Sequence, residues 1–281
     1  VSLIVYLNGE FLPYEQATIP VEDRAFLFAD GIYEVVRVYG GRPFTLQPHL
    51  QRLARSAREL RLPEPDLAEL EKVSYELLKI NQLSCASIYY QMSRGAYAPR
   101  THAFPTTPVR PTVLVIARPY ASSPSQHTEG VSAITVPDQR WARCDIKSVA
   151  LLPNALAKQA AAEVGAYEAI LIRDGYAIEG SASNFMAVLD GEIRTYPKCN
   201  YILGGITREV VLELARKLDY RVREEGILIT DLARCTEMWV TGTTTEVMPI
   251  VQLDGRQVGD GRPGPVATAL QVEFSKLVSM A

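Results

Sequence analysis

A lysine amine attacks an aldehyde only in its neutral form, so a chemical role for lysine needs surroundings that disfavour the charge. Lys147 meets that condition. It lies in Cys144-Asp145-Ile146-Lys147-Ser148-Val149-Ala150-Leu151-Leu152, a largely apolar stretch that would partly desolvate an ammonium group. An edge-strand lysine reaching water explains the same residues, and the segment alone leaves both readings open. Lys158, on the polar face of an alanine-rich helix, serves as the comparison and is expected to have no role.

Other segments carry groups that would complement such an amine. Glu179, in Ile178-Glu179-Gly180-Ser181-Ala182-Ser183-Asn184, follows an apolar run and precedes small polar residues that let a flat ring approach the backbone. A carboxylate there can keep a ring nitrogen protonated, which a pyridoxal cofactor needs to act as an electron sink; a solvated turn glutamate is the alternative. Leu203-Gly204-Gly205-Ile206-Thr207-Arg208-Glu209-Val210-Val211 offers glycines, a capping threonine and a helix start, which is an anion cup or a plain capped helix. Thr241-Gly242-Thr243-Thr244-Thr245 supplies hydroxyl and amide donors, or simply ends an exposed strand. Arg100 and His102 stand two residues apart in a loop, where a guanidinium fork and an imidazole suit a carboxylate such as every amino acid presents; for an Arg-x-His taken alone, a solvent loop with scattered charges is the better account.

The elements that must position these groups follow from pattern. Val5–Leu7 and Phe11–Leu12, joined through Asn8-Gly9, read as a hairpin. Residues 46–61 place Leu46, Leu50, Leu53, Ala57 and Leu60 at helical spacing, and residues 66–80 form a second helix of this kind. Ala86–Met92 and Thr112–Ala117 read as buried strands, giving a sheet with helices packed on it. Residues 119–130 are rich in proline, serine and glycine and are expected to be a linker between an N-terminal domain, 1–118, and a C-terminal domain, 131–281. In the latter, Val131–Val136, Glu168–Arg173, Ala187–Leu189 and Met238–Thr241 read as strands, and Pro153–Val164 and Thr207–Leu218 as helices.

Composition narrows the partners. With 281 residues, 47% hydrophobic and 22% charged, the chain fits two ordinary globular domains, and its formal net charge of -3 offers no basic face to nucleic acid. The 4 cysteines are far apart, so neither a zinc site nor a disulfide framework is expected. The opening residues have too short an apolar stretch for a signal peptide and no stretch reaches membrane-spanning length, so a cytoplasmic protein without membrane partners is expected.

In order and spacing these segments resemble the fold-type IV pyridoxal-phosphate enzymes, and within them the D-amino-acid transaminases. The resemblance runs from Tyr6-Leu7-Asn8-Gly9 nearly to the chain end. It is strongest in Glu22–Val36, Arg140–Ser148, Tyr167–Ile170 leading to Glu179-Gly180-Ser181, and Gly205–Arg208. It implies an α+β fold with a smaller N-terminal α/β domain, a larger C-terminal domain built on a β-barrel-like sheet with helices, and the cofactor at the domain interface. It also implies that Lys147 forms the Schiff base and that Glu179 faces the pyridine nitrogen. Arg52, Ile206, Thr207 and Thr243 would hold the phosphate, Ser181 and Ser183 would lie around the ring, and Tyr33, Arg100 and His102 would hold the substrate carboxylate. Because the Arg-x-His loop of such enzymes reaches in from a neighbouring subunit, a homodimer is implied.

The implied activity is a ping-pong transfer of the amino group of a D-amino acid, D-alanine first, to a 2-oxo acid such as 2-oxoglutarate. Ala182 and Gly242 depart from the pattern, Ala182 replacing a serine often found in that loop and Gly242 standing where some members carry a serine near the phosphate. The runner-up within the fold is a branched-chain L-aminotransferase or an aminodeoxychorismate lyase. Further off stand a cofactor-free Schiff-base lyase and a non-enzymatic binding module.

Overall fold

Asn8 and Gly9 both adopt positive φ, 54° and 104°, which is the geometry a two-residue hairpin turn needs, and they join the first two strands of the chain. A computed structural model describes residues 2–121 and 124–280. In the first part, β1 (Ile4–Leu7), β2 (Glu10–Pro13), β3 (Gly31–Tyr39), β4 (Arg42–Pro43), β5 (Ala86–Ser93) and β6 (Thr112–Pro119) form one sheet in the order β2-β1-β6-β5-β3-β4. The short helix α1 (Arg24–Phe28) precedes β3, and α2 (Leu46–Glu59) and α3 (Leu67–Ile80) cover the sheet. Leu46, Leu50, Leu53 and Ala57 of α2 meet Ile32, Val36 and Val38 of β3 in one core. Along β3 the period of two puts Glu34 in register with those core positions and Tyr33 on the other face.

The second part begins with α4 (Pro124–Glu129), where the sequence pattern suggests only a linker; residues 122 and 123 of that stretch lie outside the described residues. Its strands are β7 (Val131–Pro137), β8 (Glu168–Arg173), β9 (Tyr176–Gly180), β10 (Asn184–Leu189), β11 (Glu192–Thr195), β12 (Val222–Glu224), β13 (Ile227–Leu228), β14 (Glu237–Gly242), β15 (Glu246–Leu253) and β16 (Arg256–Gln257). The path β10-β14-β15-β7-β8-β9 closes on itself because Asn184 of β10 pairs with Glu179 of β9. Phe185, Ala187, Val240, Met248, Ile250 and Ile170 fill the resulting core. Outside the strands run α5 (Leu152–Glu163), α6 (Ile206–Lys217) and α7 (Pro265–Met280). The mixed α+β architecture with a closed, barrel-like sheet is the fold class expected from the resemblance.

The compact units are not two continuous stretches of chain. One unit runs to Ala121 and also takes in Ile146–Ala150, and the other holds the stretch ending at Asp145 together with Leu151–Met280. Lys147 therefore groups with the first unit. The cause is backbone pairing along the start of β3: Tyr33 donates its N–H to the Lys147 carbonyl at 3.0 Å, and Val149 donates to Gly31 at 3.0 Å. Ile146 adds its side chain to the core under α2.

Candidate active site

In the first unit, β3 carries Tyr33 and α2 carries Arg52, and Lys147 lies against both elements. The Lys147 backbone N–H donates to Ser56 Oγ on α2 at 3.3 Å, and its Nζ lies 4.3 Å from the centroid of the Tyr33 ring. Among the described residues no carboxylate pairs with that amine; its contact is the face of the Tyr33 ring. Tyr89 packs against Tyr33 at 5.8 Å and donates its hydroxyl to Gln91 at 2.7 Å. Burial, with a contribution from Tyr33, pushes the Tyr89 hydroxyl up to about 12.

Arg52 is fixed by a residue that pattern reading did not single out. Glu34, fully buried in the core register of β3, accepts from Arg52 Nε at 2.6 Å and Nη2 at 2.9 Å and contacts His49 Nδ1 at 2.8 Å. Burial alone would raise the Glu34 carboxyl, but Arg52 and His49 overcome it and hold the group down to about 2. His49 is lowered by its own burial despite the bond to Glu34. His49 and Arg52 stand three apart on one face of α2, so a buried acid locks the guanidinium in a single orientation.

Arg100 and His102 lie exposed on the loop after β5. The buried Arg24 holds this loop by donating to the Thr101 carbonyl at 2.7 Å, and the buried Arg94, at its start, donates to the carbonyls of Arg61 and Leu60 at the end of α2 at 2.9 and 2.7 Å. Asp30 joins them, at 2.8 Å from Arg24 Nε and 2.7 Å from Arg94 Nε. Among the described residues the guanidinium of Arg100 makes no hydrogen bond or ion pair; its contact is with the Phe28 ring, 4.3 Å from Cζ to centroid.

The second unit holds the remaining expected residues. Glu179, at the end of β9, is buried and accepts from Arg140 Nη1, from Asn184 Nδ2 at 3.0 Å and from the Leu203 amide at 3.1 Å. Burial outweighs these donors and pushes the Glu179 carboxyl up to about 7. Arg140 is itself shared with Asp138, at 2.9 and 3.0 Å, which in turn pairs with Arg173 at 3.0 Å. A carboxylate has about four acceptor positions, and three are used here. Glu179 thus has both an acceptor position and an unmet demand for positive charge, which a protonated ring nitrogen would satisfy.

Ser181 and Ser183 turn inward. Their hydroxyls donate to Glu168 at 2.5 and 2.7 Å, and Glu168, buried at the start of β8, also accepts from the Ser181 and Ala169 amides. These serines set the shape of the loop through Glu168, a residue the sequence reading did not mark. At Gly180 a Cβ would come within 2.2 Å of Ser183 Oγ, so the close turn needs glycine.

The helix start also differs in detail from expectation. Gly205, not Thr207, is the N-cap of α6, and no side chain caps the helix. Thr207 sits within the first turn, and a Cβ at position 205 would lie 1.9 Å from Asn184 Oδ1, so any larger residue there would displace that side chain. The amides of Ile206 and Thr207 therefore point out of the helix without intrahelical acceptors, which is the condition for binding an anion. On the adjoining strand β14, Thr241 pairs with Asn184, and its buried hydroxyl has no hydrogen-bond partner among the described residues. Thr243 follows in the turn after β14 and is half-buried. Uncapped amides, an orphaned hydroxyl and an unsaturated buried carboxylate fit a phosphorylated, ring-nitrogen-bearing cofactor.

The class of the enzyme follows from comparison. Residues 31–253 match the family model of the amino-transferases of class IV, and the chain belongs to that family. It is accordingly a pyridoxal-phosphate-dependent aminotransferase. The chain is similar to the D-alanine aminotransferase of Staphylococcus haemolyticus, 44% identical over 98% of this chain and 97% of that one. Among solved structures it is similar to the branched-chain amino acid aminotransferase of Escherichia coli, with TM-score 0.93, 28% identity and coverage of 99% and 95%. The T.th. branched-chain amino acid aminotransferase with pyridoxamine 5'-phosphate gives TM-score 0.90 at 30% identity, covering 100% of this chain and 95% of that one.

Proposed function

We propose that the enzyme moves the amino group of a D-amino acid, D-alanine first, to a 2-oxo acid such as 2-oxoglutarate. Lys147 carries the cofactor, and its released amine moves the proton at the substrate carbon. Bound pyridoxal 5'-phosphate supplies the electron sink; Glu179 keeps its ring nitrogen protonated, the start of α6 with Thr243 and Arg52 holds its phosphate, and Ser181 and Ser183 shape the loop around the ring. Tyr33, Arg100 and His102 hold the substrate carboxylate. The observation that carries the substrate side is Arg100: a guanidinium docked on an aromatic face with its N–H groups unspent, as a site awaiting a carboxylate requires. Similarity over nearly the whole chain to a D-alanine aminotransferase supports the same choice.

The working form is proposed to be a homodimer in which the Arg100–His102 loop of one subunit serves the site of the other, and its setting the cytoplasm. Among the described residues no helix is long and apolar enough to cross a membrane. A branched-chain L-aminotransferase is the second reading, favoured by the close structural match to that group. Half-reactions with D-alanine and L-alanine in parallel, followed by the cofactor absorbance, decide between them. Conversion by D-alanine supports the proposal, and conversion by the L-enantiomer alone refutes it.

A further inference from the structure

An arginine on an exposed loop can be held by a carboxylate, which consumes its N–H donors, or by an aromatic face, which leaves them unspent. Arg100 is held in the second way, and a single ring gathers its neighbours as well. Cζ of Arg100 lies 4.3 Å from the Phe28 centroid, the buried Arg24 Cζ lies 4.6 Å from it, and the His102 ring is centred 5.4 Å away. The imidazole of His102, like the guanidinium of Arg100, has no hydrogen-bond partner among the described residues.

Phe28 is placed by the helix that carries it. Phe28 is the last residue of α1, and Ala29 closes that helix in the left-handed region at φ 56°, its N–H bonded back to Ala25 at 3.0 Å. Asp30 follows at once and anchors Arg24 and Arg94. Arg24 then grips the backbone between Arg100 and His102 through the Thr101 carbonyl. The ring, its anchor and the loop backbone are thus fixed together, with only the outward donors of Arg100 and His102 left over.

We propose that Phe28 is a positioning residue of the substrate-carboxylate grip: its ring holds Arg100 and His102 at fixed spacing so that both present unspent donors to the incoming carboxylate. This rests on the reading of Arg100 and His102 as that grip. Phe28 itself touches neither substrate nor cofactor. Face-on cation–aromatic contacts are worth about 0.5 to 2 kcal/mol, so loss of the ring should weaken carboxylate binding about two- to thirtyfold. Both substrates present a carboxylate to the same place, so both should be affected alike.

The test measures KM and kcat for D-alanine and 2-oxoglutarate, with the cofactor absorbance, in the parent holoenzyme and in Phe28→Leu, Phe28→Tyr, Arg100→Ala and the Phe28→Leu/Arg100→Ala double variant. Phe28→Leu should raise both KM values by the stated factor with kcat and absorbance nearly unchanged, Phe28→Tyr should resemble the parent, and the double variant should be no worse than Arg100→Ala alone. Pentafluorophenylalanine at position 28 keeps the shape but reverses the electrostatics of the ring face, and should raise KM as leucine does. A rise in KM for Arg100→Ala with none for Phe28→Leu or the fluorinated ring overturns the role of Phe28 and leaves the grip standing. Effects that add in the double variant, fall on kcat or absorbance, or recur in Phe28→Tyr show a general structural role and overturn it too. An Arg100→Ala enzyme with unchanged KM removes the grip itself, and the role of Phe28 with it.

Discussion

Glu179 should make the cofactor-free enzyme lose stability as the pH rises through neutrality, because its carboxyl is pushed up to about 7 in the fold from an ordinary 4.5. With the folded value above the unfolded one, the native state binds the extra proton between these limits. The contribution is therefore fully present below about pH 4.5 and is lost as pH passes 7. At about 1.4 kcal/mol for each tenfold change in proton affinity, the loss amounts to roughly 3 kcal/mol. Glu179→Gln has no such titration, so the stability of the parent relative to this variant should fall by roughly that amount between pH 5 and 8, whatever the fixed cost of the amide. Urea unfolding of both cofactor-free proteins, followed through the fluorescence of the buried Trp239, reads the difference. Glu34 does not interfere, since its lowered carboxyl, at about 2, loses its contribution only below pH 4.5. Pyridoxal 5'-phosphate should flatten the slope of the parent, because positive charge beside Glu179 favours its ionised form. Parallel pH profiles for the two proteins would refute the reasoning.

Three further outcomes are expected. Lys147→Ala should fold but not turn over, and borohydride reduction of the holoenzyme followed by peptide mapping should label Lys147; a label on Lys158 contradicts this. Glu34→Gln should cost about 3 to 5 kcal/mol, as breaking a buried ion pair does, and should loosen the cofactor by freeing Arg52, which thermal unfolding and cofactor retention on dialysis measure. Gly205→Ala, whose Cβ would collide with Asn184 Oδ1 at 1.9 Å, should retain the fold yet release the cofactor more readily on dialysis; undiminished retention would separate that helix start from the phosphate.

Local chemistry made much of the fold legible. Asn8-Gly9 marks a hairpin, and Leu46, Leu50, Leu53 and Ala57 mark the buried face of a helix, because each signal is complete within a few residues. What could not be read are partnerships that the fold assembles across long separations. Arg140 reaches Glu179, Asn184 closes on both Glu179 and Leu203, and Glu168 collects the two serines, none of which any local pattern announces. Glu34 is a partial exception, since an acid in register with Ile32 and Val36 must find a cation, and His49 and Arg52 on one face of an amphipathic helix offer it. Thr207 illustrates a different limit: threonine is a good cap in general, and only the proximity of Asn184 shows why glycine takes that place here.

The pairing of Ile146–Ala150 with β3 bears on the order in which the protein can be made. During synthesis the first sheet, with its two covering helices, leaves the ribosome while the segment that completes its core and carries Lys147 is still to come. Until residue 150 has emerged, Gly31 and Tyr33 lack their backbone partners, so the nascent first half is an unfinished body and not an independent one. A gene divided at residues 119–130 would leave that stretch on the wrong fragment. Reconstitution from two such halves would have to restore the pairing of the segment carrying Lys147 by association between chains, and the long loop closed by residues 31 and 149 would become a bimolecular step dependent on concentration.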